Sequence, residues 1–80
     1  MRVAGDPGAA RRLYLRGLER ARAQQGLLAE LRLATGLATL MRDQGENAGA
    51  RALLQPIYEQ FRQGFDRPDL TRARRVLATL

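Results

Sequence analysis

From Leu27 to about Gln44, apolar residues recur at steps of three and four and then fill a second line beside the first. Leu27, Leu31, Ala34, Ala38 and Met41 form one line, and Leu28, Leu33, Leu37 and Leu40 stand next to it. Steps of three and four are the helical period, because 3.6 residues complete a turn. An apolar surface this wide is more than one neighbour can cover. The run therefore predicts a helix sandwiched on more than one side, the middle member of a stack. Gly36 falls inside it. Glycine in a helix costs roughly 1 kcal/mol relative to alanine, yet it would permit the close approach of a packed neighbour.

Three further helical runs flank this one. Asp6-Pro7 reads as an N-cap followed by the residue best suited to the first helical position, opening a helix to about Gln25. Its stripe is Ala10, Leu13, Tyr14, Gly17, Leu18 and Ala21, with Leu15 off the stripe as a hint of a second contact face. Gly26 punctuates the chain before the central run. Gly45 is placed to end that run as a C-cap, and Asn47 to cap a third helix over about residues 48–63, carrying Ala50, Leu53, Leu54, Ile57, Tyr58 and Phe61. Pro56 lies inside this helix, where it removes a backbone donor and bends the rod. After Gly64-Phe65, the segment Asp66-Arg67-Pro68-Asp69 is a cap-and-turn from which a last helix grows over about 69–79, with Leu70, Ala73, Val76, Leu77 and Leu80 on its buried line. No alternating apolar pattern occurs, so no strand is expected. Short connections force neighbouring helices to reverse direction. The expected fold is all-α: a flexible stretch over 1–5, then one domain over 6–80 of four antiparallel helices.

Composition limits what such a domain can do. Eighty residues bury a small core and leave stability marginal, while 45% hydrophobic and 28% charged residues are too apolar a mixture for disorder. Cysteine and histidine are both absent, which removes disulfides, thiolate nucleophiles, imidazole bases and the usual zinc ligands together. Glu30, Asp43, Glu46, Asp66 and Asp69 sit at caps, turns or exposed faces where structural roles suffice. Gly45-Glu46-Asn47-Ala48-Gly49 lacks the lysine and hydroxyl residue of a phosphate-binding loop. No enzyme, cofactor or metal site is expected. Neither a run of about 18 apolar residues nor the apolar core of a signal peptide is present, which makes the cytoplasm the default and a membrane no partner.

The net charge is +6, and all 14 basic residues are arginine. A chain without lysine and rich in alanine, leucine and glycine has the composition of a GC-rich genome, and charge runs are ordinarily solvated faces. The alternative reading is a small arginine-rich nucleic-acid-binding protein that grips phosphates with Arg11, Arg12, Arg16 and Arg20, aided by Arg22 and by Arg72, Arg74 and Arg75. Against it, Ala50 to Phe61 is committed to packing and offers few side chains able to read bases.

Helical repeats of about 34 residues need small residues where helices touch and large ones where they wedge. Leu37-Ala38, Met41, Gln44-Gly45, Ala50, Leu54 and Ile57 follow that order, with Tyr58, Phe61 and Phe65 after them. The pattern resembles the tetratricopeptide repeat, with Met41 in place of the usual aromatic and Ile57 in place of the usual small residue. Residues 9–25 look like the second helix of a preceding unit. Read as one string, Arg42-Asp43-Gln44-Gly45, Ala50-Arg51-Ala52-Leu53-Leu54 and Gly64-Phe65-Asp66 resemble the C-terminal tail of large bacterial signalling proteins that join a cyclase-type or regulatory domain, an ATPase module and tetratricopeptide repeats. The tryptophans that family carries near Met41 and Gln60 are absent, and its catalytic domains lie far upstream of the matching stretch. The resemblance implies an orphan half-repeat, one full repeat and a C-terminal capping helix of an α-solenoid.

A terminal piece of a stack leaves one helix face uncovered. Tyr14, Leu15 and Leu18 are expected to form an exposed apolar patch there, docking preceding helical repeats, a partner protein or a second copy in a weak homodimer. Nucleic acid is the less favoured partner.

Overall fold

A computed structural model of the chain describes residues 7–62 and 67–80. Four helices make up the described part: α1 (Pro7–Ala23), α2 (Leu27–Asp43), α3 (Asn47–Tyr58) and α4 (Pro68–Ala78), with no strand among the described residues. The Asp6 cap, the flexible start over 1–5 and the Gly64-Phe65-Asp66 element fall outside the described residues.

Two turns of the same build join the first three helices. After α1 the Gly26 N–H donates to the Ala21 carbonyl (2.8 Å) and the Gln25 N–H to the Arg22 carbonyl (3.1 Å). After α2 the Glu46 N–H donates to the Met41 carbonyl (2.8 Å) and the Gly45 N–H to the Arg42 carbonyl (2.9 Å). This is the pattern by which a left-handed residue closes a helix and satisfies its orphan carbonyls. The C-cap of α2 is Gln44 and not the expected Gly45, which takes the left-handed position one residue later at φ +83°. In the first turn that position belongs to Gln25 at φ +55°, one residue before Gly26.

Cross-helix contacts give the directions. Tyr14 meets Gly36 and Gly17 meets Leu33, so α1 and α2 are antiparallel; Met41 meets Gly49, so α2 and α3 diverge from their turn side by side. Arg32 bonds Asp69 and Arg42 bonds Thr79, both across 37 residues, which makes α2 and α4 parallel. Arg51, early in α3, reaches the carbonyl of Leu80 just past α4, so α3 and α4 are antiparallel. α2 touches all three other helices and is the middle member that its two apolar lines require, whereas α1 packs against no helix but α2.

The core is one cluster built on α2. Leu31, Ala34, Leu37 and Ala38 of α2 meet Leu18 of α1, Ala50, Leu54 and Ile57 of α3, and Leu70, Ala73 and Val76 of α4. Each fully buried leucine contributes roughly 1.5–3 kcal/mol against exposure. Thr35, the buried polar residue among them, satisfies its hydroxyl within the helix by donating to the Leu31 carbonyl at 2.7 Å.

α3 ends at Tyr58, short of the expected Gln63. Pro56 lies two residues inside that end. Beyond it the Gln60 and Phe61 N–H groups donate to carbonyls three residues back, the tightened geometry of a helix running out. Glu59 and Gln60 are exposed and offer no packing to extend it, while Phe61 returns to the core edge. Asn47 is not the cap of α3. Glu46 is the capping residue and Asn47 the first helical one, with no side-chain cap bond. The turn engages Glu46's N–H, and the Glu46 carboxylate is held by Arg11 at 2.7 Å.

Candidate protein-docking surface on helix α1

With one helical neighbour, α1 can bury only a narrow wedge. Leu18 and Ala21 are in the core, and Tyr14 and Gly17 are half-buried against α2. Leu13 and Leu15 flank that wedge on either side, 68% and 48% exposed. The expected patch of Tyr14, Leu15 and Leu18 is therefore corrected: Leu18 is 1% exposed and belongs to the core, and Tyr14 is spent largely on Gly36. Leu13, assigned to the buried stripe from its spacing, is the most exposed large apolar side chain described.

The two edges of the wedge differ. On the Leu15 edge, Arg11 and Arg22 lie on the same helical line and bind carboxylates of the chain itself. Arg11 holds Glu46 at 2.7 Å and Gln44 at 2.7 Å, and Arg22 holds Glu30 at 2.9 Å. These bonds lace that edge to α2 and to the turn after it. On the Leu13 edge there is no such lacing among the described residues. Ala10, Leu13, Tyr14 and Leu33 line an open apolar depression of about 320 Å³. Leu13 also borders a second depression with Ala9, Arg12 and Arg16.

Of the four arginines proposed as phosphate contacts, Arg12, Arg16 and Arg20 recur every fourth residue along the exposed face of α1 and make no ion pair among the described residues. Arg11 does not join them, because it is turned to Glu46 and Gln44.

Leu37, Ala38, Ala50, Leu54 and Ile57 are buried, and Met41, Tyr58 and Phe61 are half-buried against the cluster. Phe65 lies outside the described residues. Among the described residues no group of three or more His, Cys, Asp or Glu side chains is placed to hold a metal ion, and no helix is long and apolar enough to cross a membrane.

No protein-family model, curated protein or solved structure matches the chain.

Proposed function

We propose that the chain is a non-catalytic protein-interaction module of tetratricopeptide-like build, the C-terminal end of a helical-repeat region resembling that of bacterial cyclase and ATPase signalling proteins. The repeat reading is supported by the parallel course of α2 and α4, whose matched contacts lie 37 residues apart, near the period of about 34 typical of such units. In it, α1 is the second helix of an incomplete unit, α2 and α3 are the complete unit, and α4 caps the stack.

The observation that carries the functional reading is Leu13, 68% exposed beside an apolar depression on a helix with one helical neighbour. A stacked repeat would have a further helix there. An exposed apolar site rimmed by polar residues is where a protein partner gains most from contact. Binding of an environment-sensitive apolar dye tests it. Wild type should enhance the dye's fluorescence and Leu13→Glu should abolish the enhancement at unchanged melting temperature. Equal fluorescence from the two would remove this surface as the docking site.

The arginine stripe of Arg12, Arg16 and Arg20 is the observation that favours the second reading, nucleic-acid binding. It requires an affinity for DNA or RNA that falls steeply with salt, and a flat titration at low salt would dismiss it.

A further inference from the structure

We infer that the partner seated on the Leu13 edge of α1 is an acidic amphipathic helix of another protein, its apolar stripe in the Ala10–Leu13–Tyr14–Leu33 depression and its carboxylates against Arg12 and Arg16. This deepens the docking reading above and rests on it. The argument comes from the difference between the two edges of α1. On the closed edge, each arginine is matched by a carboxylate, Arg11 by Glu46 and Arg22 by Glu30, as α1 packs on α2. The open edge has the same ingredients with one half absent: an exposed leucine, a depression lined by Ala10, Tyr14 and Leu33, and a line of arginines without an ion-pair partner among the described residues. A helix that covered Leu13 would bring its flanking residues over Arg12 and Arg16, which share a depression with Leu13. Carboxylates there would be attracted and basic residues repelled, so charge selects the partner while the apolar contact holds it.

A second copy of this chain is a poor occupant. Its net charge is +6, and Glu19 is the one acidic residue of α1, so pairing two such faces would set arginine against arginine. The shape of the site, an apolar depression beside charge, suits a helix laid in a groove, recognised through residues spaced three and four apart.

The test uses two synthetic amphipathic helices with the same leucine stripe, one flanked by glutamates and the other by lysines, titrated against the full chain. The glutamate helix should bind about tenfold more tightly or better, with an affinity that falls as salt rises. Leu13→Ser should abolish binding, and the double variant Arg12→Glu/Arg16→Glu should reverse the preference. Those arginines are exposed and make no ion pair among the described residues, so the double variant keeps its fold, as its circular dichroism will check. Equal binding of the two helices, or binding of neither while the dye still reports Leu13, overturns the acidic-helix inference and leaves the docking reading standing. Loss of the dye signal dependence on Leu13 brings down the docking reading itself. A Leu13-dependent dimer in sedimentation, or tight binding of single-stranded DNA that ignores Leu13→Ser, would overturn the inference in favour of a second copy or of nucleic acid.

Discussion

Tyr14 of α1 stands so close over Gly36 of α2 that a β-carbon at position 36 would lie 2.7 Å from Tyr14 Cε1 and 2.8 Å from its hydroxyl oxygen. The contact has a counterpart: Leu33 of α2 stands over Gly17 of α1, 3.0 Å from where a β-carbon would be. Each helix thus supplies one large side chain and one glycine, and this interlock fixes the register of the α1–α2 pair. Two effects oppose each other when Gly36 becomes alanine. Helix propensity gains about 1 kcal/mol, and overpacking against the ring loses about 1–3 kcal/mol. With two ring carbons and the hydroxyl oxygen of Tyr14 inside 3 Å, the loss should win. Gly36→Ala should destabilise the wild type by about 1 kcal/mol and stabilise a Tyr14→Ala background, a reversal of sign that denaturant titration of the four proteins will detect. Gly17→Ala, facing only the flexible end of Leu33, should be close to neutral.

The two turns after α1 and α2 differ in who occupies the left-handed position. Gln25 at φ +55° bears a strain that Gly45 at φ +83° does not. Gln25→Gly should therefore raise stability, by about 0.5 kcal/mol after the entropy of the freer unfolded chain is deducted. Gly45→Ala should lower it by about 1 kcal/mol, although nothing lies within 4 Å of the added carbon, because the conformation alone is at fault. Thermal melts of the two variants should move in opposite directions.

Leu31 and Leu54 are wholly buried, and truncating either to alanine should cost about 2–5 kcal/mol. In a domain of 80 residues that is enough to unfold much of the population. Leu13→Ala, at 68% exposure, should change stability by less than about 0.5 kcal/mol. Urea titration separates the two classes.

The ion pairs should contribute little. Arg32–Asp69 at 3.2 Å and Arg42–Asp43 at 3.4 Å are exposed on at least one side, and such pairs are worth about 0–1 kcal/mol each. Asp69→Asn should shift the unfolding midpoint only slightly, and wild-type stability should vary weakly with salt.

Much of this architecture is legible in the sequence because apolar spacing reports how many sides of a helix are covered. The double line of Leu31, Ala34 and Ala38 with Leu33, Leu37 and Leu40 marks α2 as the middle helix, and Gly36 leaves room for a close contact. The left-handed position at Gly45 follows from glycine itself. At the first turn the same logic points to Gly26 and misses Gln25, since a glycine one residue later hides a strained glutamine. Spacing carries the end of α3 five residues too far because Phe61 keeps the helical spacing while the backbone has already left the helix. The docking surface was only half legible. Spacing puts Leu13 and Leu18 on one stripe, but which of them is covered depends on the single neighbour of α1 and its direction of approach, a tertiary fact that periodicity does not contain.

The proposed repeat arrangement rests on α2 and α4 running parallel, and the absence of native cysteine makes this directly measurable. Cysteines introduced pairwise at positions 32 and 69, 42 and 79, 32 and 79, and 42 and 69 should be treated with a short thiol-specific crosslinker. Efficient crosslinking of the first two pairs and none of the last two is the predicted result. Crosslinking of the crossed pairs 32/79 and 42/69 instead would place α4 antiparallel to α2 and contradict the helical-repeat account.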